Sequence, residues 1–115
     1  MAGSFEEKKS GLHQIFILKG YIEKEIAQKL LQTFKEGRKL GLRFFIFDFS
    51  EVTLINSFAL SCFLDLVSEG LGESEINFYF CAIPESCYYG MSAVGLVNCV
   101  TEFSSLEQAK TELQF

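Results

Sequence analysis

Residues 43–49 read RFFIFDF, and this stretch decides the fold class. Phe44, Phe45, Ile46 and Phe47 are consecutive, so in a strand they place large apolar side chains on both faces. Such a strand needs cover on both sides, which is typical of the central strand of a sheet flanked by other layers. We therefore predict a buried central strand over residues 43–49.

Helices are predicted before and after this strand. Residues 22–36 repeat apolar side chains at steps of three and four, which indicates one face of an amphipathic helix. Gly37 is predicted to cap the end of that helix. Nearby basic residues suit the negative end of the helix dipole, with a binding patch as the alternative: Lys35, Arg38 and Lys39. Residues 57–69 predict a second helix, with four side chains facing the sheet: Leu60, Phe63, Leu64 and Val67.

Strands and helices alternate along the rest of the chain. Further strands are predicted at 13–18, 76–82 and 96–100, a third helix from Pro84 to about Gly95, and a fourth from a Ser104 capping box to about Leu113. Residues 50–56 are predicted as a connection, and the polar residues 1–11 as a loose segment or an edge strand. Alternation of this kind predicts a single α/β domain over residues 1–115, with a mainly parallel sheet of four to five strands and about four helices.

Composition excludes several classes of function. The chain has 115 residues, of which 15 are acidic and 10 basic, for a net charge of −5. That balance argues against a dedicated binder of nucleic acid or of anionic membranes, since both depend on a positive surface. No apolar run approaches the roughly 20 residues of a spanning helix, and the start of the chain lacks the apolar segment of a secretory signal. We expect a cytoplasmic protein with no direct membrane insertion.

The residue types that carry catalysis or bind metals are sparse. The four cysteines have no paired spacing and the one histidine, His13, is expected at the surface, so we predict no metal, no cofactor and no catalytic triad. The cysteines are expected to be small buried thiols: Cys62, Cys81, Cys87 and Cys99. Asp48 and Glu51 could form an acid/base pair, but Asp48 bonding to local amides and a solvated Glu51 is the favoured interpretation. A small enzyme or ligand-binding domain, with a pocket of Asp48, Ser57 and a cysteine, is kept as the least favoured alternative.

Residues 48–60, DFSEVTLINSFAL, resemble the signature of the STAS domain family, which includes bacterial anti-sigma-factor antagonists and the tails of sulfate transporters. Residues 18–22 and 92–109 resemble the family's strand-ending and closing segments, so the likeness covers about residues 5–113. Three signature positions differ, because Asn56 stands for Asp, Phe58 for Ser or Thr, and Ala59 for Gly. The positions that match in register are Asp48, Ser50, Val52, Ser57 and Leu60.

The resemblance implies a regulatory protein-binding module with no enzymatic activity. In phosphorylation-switched members, the matching serine accepts phosphate from an anti-sigma factor that is also a kinase, which makes Ser57 the phosphorylation candidate here. The residues expected to contact that anti-sigma factor/serine kinase are Asn56, Ser57, Phe58, Ser61 and Asp65. A plain helix N-cap at Ser57 or Asn56 is the alternative for this position. A scaffold subunit of a signalling or transport complex, never phosphorylated, is the alternative for the whole protein, and a homodimer through exposed phenylalanines is also left open.

Overall fold

A five-stranded sheet organises the chain. The computed structural model describes residues 2–73 and 75–115. The strands lie side by side in chain order, with β1 antiparallel to β2 and all other neighbours parallel. The elements are β1 (Ser4–Ser10), β2 (His13–Ile22), α1 (Lys24–Lys39), β3 (Phe44–Ile55), α2 (Ser57–Leu71), β4 (Asn77–Cys81), α3 (Glu85–Ala93), a short 3₁₀ helix (Leu96–Cys99), β5 (Thr101–Phe103) and α4 (Leu106–Leu113). The predicted α/β class, four helices and mostly parallel sheet are confirmed, and residues 4–10 form an edge strand.

The two faces of the sheet are covered differently. Helices α1, α2 and α3 cover one face, here the α1–α2 face, and α4 covers the other, the α4 face. Both faces of β3 are therefore buried, as its run of apolar residues predicts. The α1–α2 face holds a cluster of phenylalanines with under 2% of their surface exposed: Phe16, Phe34, Phe45, Phe47, Phe49, Phe63 and Phe80.

Three strand boundaries differ from the prediction. β2 does not end at Leu18 but continues to Ile22. Residues 50–56 are not a simple connection, because β3 continues to Ile55 alongside an equally extended β2, with Ile22 opposite Ile55. Parallel pairing with β2 thus outweighs the polar character of Ser50 and Glu51. The predicted strand at 96–100 is also wrong, since Leu96–Cys99 form a 3₁₀ helix after a turn at Gly95 and the strand begins at Thr101.

Two helix ends differ as well. Gly37 does not cap α1, which starts at Lys24 and continues to Lys39; Gly37 is buried inside the helix because the Gln14 side chain occupies the space of a Cβ. The turn that follows falls at Gly41, where φ is +87°. Ser105, not Ser104, caps α4, and its hydroxyl accepts a hydrogen bond from the Gln108 amide at 3.0 Å.

His13 and the cysteines are placed partly as expected. His13 is half-buried, not a free surface residue, because its ring stacks on Phe44 with the centroids 4.7 Å apart. All four cysteines are free thiols. Two of them are buried as predicted, Cys81 and Cys87, and two are half-buried, Cys62 and Cys99.

Candidate functional site

The signature segment spans the end of β3 and the start of α2. Asn56 lies between the two elements, and its backbone N–H donates to the carbonyl of Ile22 at 3.1 Å. Its side-chain Oδ1 accepts a hydrogen bond from the Ala59 amide at 2.9 Å. Asn56 is therefore the N-cap of α2, because it satisfies one of the amides that a helix start leaves without an intrahelical partner.

Ser57 is the first residue of α2 and is exposed. Since Asn56 performs the capping, the Ser57 hydroxyl has no capping duty, and it makes no hydrogen bond with any residue that the structure describes. Its backbone carbonyl accepts from the Ser61 hydroxyl at 3.2 Å. The alternative of a plain cap thus applies to Asn56, and the Ser57 Oγ faces solvent at the positive end of the helix dipole.

Three of the five predicted contact residues form one stripe on α2. Ser57, Ser61 and Asp65 follow at steps of four residues, and all three are exposed. Phe58 lies beside the stripe and is also exposed, whereas Asn56 is half-buried by its capping role. The five predicted residues thus extend from the N-cap of α2 to the middle of the helix, and four of them are exposed.

Two large apolar side chains are exposed at this end of the molecule. Phe58 keeps 61% of its surface exposed, and Leu54, near the end of β3, keeps 47%. The ammonium group of Lys24, at the start of α1, lies 5.4 Å from the centroid of the Phe58 ring, a cation–π contact. Sequence reasoning missed Leu54 and Lys24. Leu54 lies within residues 50–56, which the sequence predicts as a connection, and no sequence spacing links Lys24 to Phe58.

Helix α3 flanks the site. The hydroxyl of Ser86, in the first turn of α3, donates a hydrogen bond to the carbonyl of Thr53 at 3.0 Å. This bond connects α3 to the C-terminal end of β3. Farther along, a Cβ at Gly90 would lie 3.3 Å from a methyl carbon of Leu60, so α3 and α2 meet closely there. Helix α3 thus contacts both β3 and α2, the two elements that the signature segment joins.

The residues suggested for catalysis have structural roles. Asp48 is only 6% exposed and accepts a hydrogen bond from the Ser50 amide at 3.0 Å, while Glu51 is exposed and lies 3.9 Å from Lys19 Nζ. Both observations fit the favoured interpretation of these carboxylates. Burial, assisted by the charge of Asp48, raises the pKa of the Cys81 thiol to about 12. That thiol stays protonated at neutral pH and offers no nucleophile.

Within residues 2–73 and 75–115, no group of three or more His, Cys, Asp or Glu side chains is arranged to hold a metal ion. None of the helices in these ranges has the length and apolarity needed to cross a membrane.

The basic cluster at the end of α1 forms ion pairs with acidic residues near the end of α2. Lys35 lies 3.6 Å from Glu69, and Arg38 pairs with Glu73.

Comparison with known proteins gives a family and a fold. The family model of the STAS domain matches residues 9–109. No curated protein sequence is similar enough to this chain to count as a match. A solved structure from Thermotoga maritima, described as that of a proposed anti-sigma factor antagonist, superposes with a TM-score of 0.80 at 20% identity and covers 96% of this chain and 95% of that one.

Two further solved structures have the same fold. An anti-sigma factor antagonist from Mycobacterium paratuberculosis superposes with a TM-score of 0.79 at 18% identity, over 99% of this chain and 96% of that one. The anti-sigma factor antagonist SpoIIAA, in its unphosphorylated form, gives a TM-score of 0.78 at 12% identity, over 96% and 98% of the two chains. At identities this low, the superpositions show a shared fold alone.

Proposed function

The chain belongs to the STAS domain family, and from that membership we propose that it is an anti-sigma-factor antagonist, a regulatory module that binds an anti-sigma factor with serine kinase activity. We expect the protein to have no catalytic activity of its own and to meet its partner in the cytoplasm. The docking surface is formed by Asn56, Ser57, Phe58, Ser61 and Asp65, with Leu54 and Lys24 added from the structure.

The exposed Phe58 ring is the observation that carries this proposal. Phenylalanine is usually buried, yet this ring is 61% exposed at the start of α2, with Leu54 exposed nearby. Aromatic side chains are enriched in protein–protein interfaces and often supply much of the binding energy. The hydroxyls of Ser57 and Ser61 and the carboxylate of Asp65 would give this apolar centre a polar border.

Phosphorylation of Ser57 is proposed as the switch. The first turn of α2 supplies unpaired amides and a positive dipole end, so the domain itself would tolerate a phosphate there. A docked partner would face about two added negative charges beside the Phe58 ring. The modification would therefore act on the interface and leave the fold unchanged.

A constitutive scaffold subunit is the alternative function. Asn56 favours the scaffold for two reasons. Its side-chain amide forms the helix cap, and it offers no carboxylate beside the Ser57 hydroxyl. In that case Asn56 and Phe58 would belong to a permanent interface, with another protein or with a second copy of this chain. The same surface is used in both cases, and the two differ in whether Ser57 carries phosphate in the cell.

The test is recovery of the partner from the native cell with a tagged bait and a series of variants. Phe58→Ala removes the exposed ring, and Leu71→Ala is its matched control, since Leu71 is 60% exposed at the other end of the same helix. Ser57→Asp adds a charge at the switch position and Ser57→Ala removes the hydroxyl. The intact mass of recovered wild-type protein reports any added phosphate.

We expect an anti-sigma factor with a kinase domain to bind the wild type, Leu71→Ala and Ser57→Ala, and to be lost from Phe58→Ala and Ser57→Asp. A phosphate mapped to Ser57 would complete the switch. A stable complex with no phosphate and equal binding by both Ser57 variants would refute the phosphorylation switch and support the scaffold alternative. Undiminished binding by Phe58→Ala would refute the proposed surface in either form.

A further inference from the structure

A separate pocket lies on the α4 face, away from α1 and α2. It is a half-open cleft with a volume of about 240 Å³, lined by the β1–β2 hairpin on one side and by α4 on the other. The proposed partner surface is at the start of α2, which packs on the α1–α2 face. The pocket therefore belongs to a different part of the molecule and is independent of the proposed function.

The floor and one end of the pocket are apolar. Ile15 and Ile17 project from β2, and Leu106 faces them from α4. After α4 the chain turns at Gln114, where φ is +58°, and Phe115 returns to the sheet with its ring 4.9 Å from that of His13. This turn makes Phe115 a wall of the pocket.

The rim of the pocket is cationic. Phe5 packs on Phe16 and Glu7 accepts from Gln14, so the odd-numbered residues of β1 point toward α1. Alternation along the strand then directs Lys8 to the α4 face, opposite Ile15. Lys110 of α4 lines the pocket from the other side.

These two charges are poorly neutralised. Lys8 makes no ion pair with any residue that the structure describes, and the only pair of Lys110 in that part of the chain is with a highly exposed Glu107 at 3.9 Å, a contact of little strength. Glu6, which is opposite Ile17, lies 3.9 Å from Lys19 Nζ and does not line the pocket. Lys9 also borders the pocket, but its side chain points to the opposite face of the sheet, where it pairs with Glu7 at 2.7 Å.

We infer that this pocket binds a medium-chain fatty acid as its carboxylate. The aliphatic chain would lie on Ile15, Ile17 and Leu106, and the carboxylate would sit between Lys8 and Lys110. Ordinary ligand pockets measure about 300–1,000 Å³, so a volume near 240 Å³ suits a ligand smaller than a typical drug molecule. In a chain of net charge −5, the rim has the ammonium groups of Lys8 and Lys110 and no Asp or Glu side chain among the described lining residues, and the one carboxylate on a lining residue is the main-chain carboxylate of Phe115. The positive side chains therefore outnumber that negative charge, which favours an anionic ligand.

Calorimetric titration of the full chain with sodium hexanoate, octanoate and decanoate, each below its micelle concentration, tests this inference. We expect binding to tighten about four-fold for each added methylene, since each buried methylene contributes a fixed transfer free energy. Added salt should weaken the binding. Octan-1-ol, which has the same chain and no charge, should bind more weakly than octanoate.

Charge-reversal variants distinguish binding in the pocket from nonspecific attraction of the anion to basic residues elsewhere on the surface. The double variant Lys8→Glu/Lys110→Glu should weaken octanoate binding at least about ten-fold. Lys29→Glu, an exposed residue of α1 on the other side of the sheet, should leave the affinity unchanged. Thermal unfolding of each variant checks that the fold persists.

Three results would overturn the inference: the same affinity across the chain-length series, equal losses in Lys29→Glu and the double variant, or no heat of binding for any of the acids. Vesicles of phosphatidylcholine with phosphatidylglycerol serve as a further arm. Binding to these vesicles without binding to monomeric octanoate would also refute the fatty-acid site and indicate a membrane-surface contact instead.

Discussion

The α1–α2 face and the α4 face of one sheet are built in different ways. On the α1–α2 face, seven phenylalanine rings are fully buried beneath three helices and pack at stacked, tilted and edge-to-face angles, with the Phe47 ring stacked on that of Phe16 at 4.7 Å. On the α4 face a single eight-residue helix covers the strands, and Ile17, Leu106 and Phe115 stay half-buried. The comparison indicates that most of the folding free energy comes from one face. The other face can hold a pocket because the fold depends on it less.

Truncating one apolar side chain on each face, fully buried on one and half-buried on the other, tests this difference. Phe47→Ala should lower the free energy of unfolding by about 3–5 kcal/mol, because it removes a fully buried ring and leaves a cavity. Leu106→Ala, at a half-buried position of α4, should cost about 1 kcal/mol. Urea unfolding of both variants measures the two values. Similar losses would show that the two faces contribute equally to stability.

Close packing of α2 on its face is tested at a glycine. A Cβ at Gly70 would lie 2.6 Å from the Phe78 ring, so Gly70→Ala should lower the free energy of unfolding by about 1–2 kcal/mol, even after the gain in helix propensity. Gly72→Ala is the control, because a Cβ there meets no atom within 4 Å and its φ of −82° suits alanine. Thermal and urea unfolding report both. An unchanged Gly70→Ala would mean that α2 can shift away from the sheet.

The smallest effect is expected where α2 begins. Asn56→Ala should cost about 1 kcal/mol through loss of the cap, whereas Ser57→Ala, one residue on, should change stability by less than about 0.5 kcal/mol. The same urea assay compares them. If Ser57→Ala lowered the free energy of unfolding as much as Asn56→Ala, Ser57 would have a structural role, which would contradict the proposal that its hydroxyl is free to accept phosphate.

Sequence reasoning predicted the elements whose pattern is local. The consecutive phenylalanines of β3 and the apolar steps of α2 led to the correct layers, and the signature led to Ser57. It missed features that depend on a distant partner. Gly37 is buried against Gln14 of another element, and Lys24 reaches Phe58 from α1, so neither contact has a signal in the local sequence.

The edges of the sheet have a consequence for how copies of the protein can associate. β1, the longer edge strand, carries Glu6, Glu7, Lys8 and Lys9 in succession, and β5, the other edge, is three residues long. Charged or very short edges resist the strand-to-strand addition that leads to domain swapping and fibrils. The protein can therefore expose apolar side chains such as Phe58 on its proposed docking surface, because its strand edges do not favour aggregation through the sheet at high protein concentration.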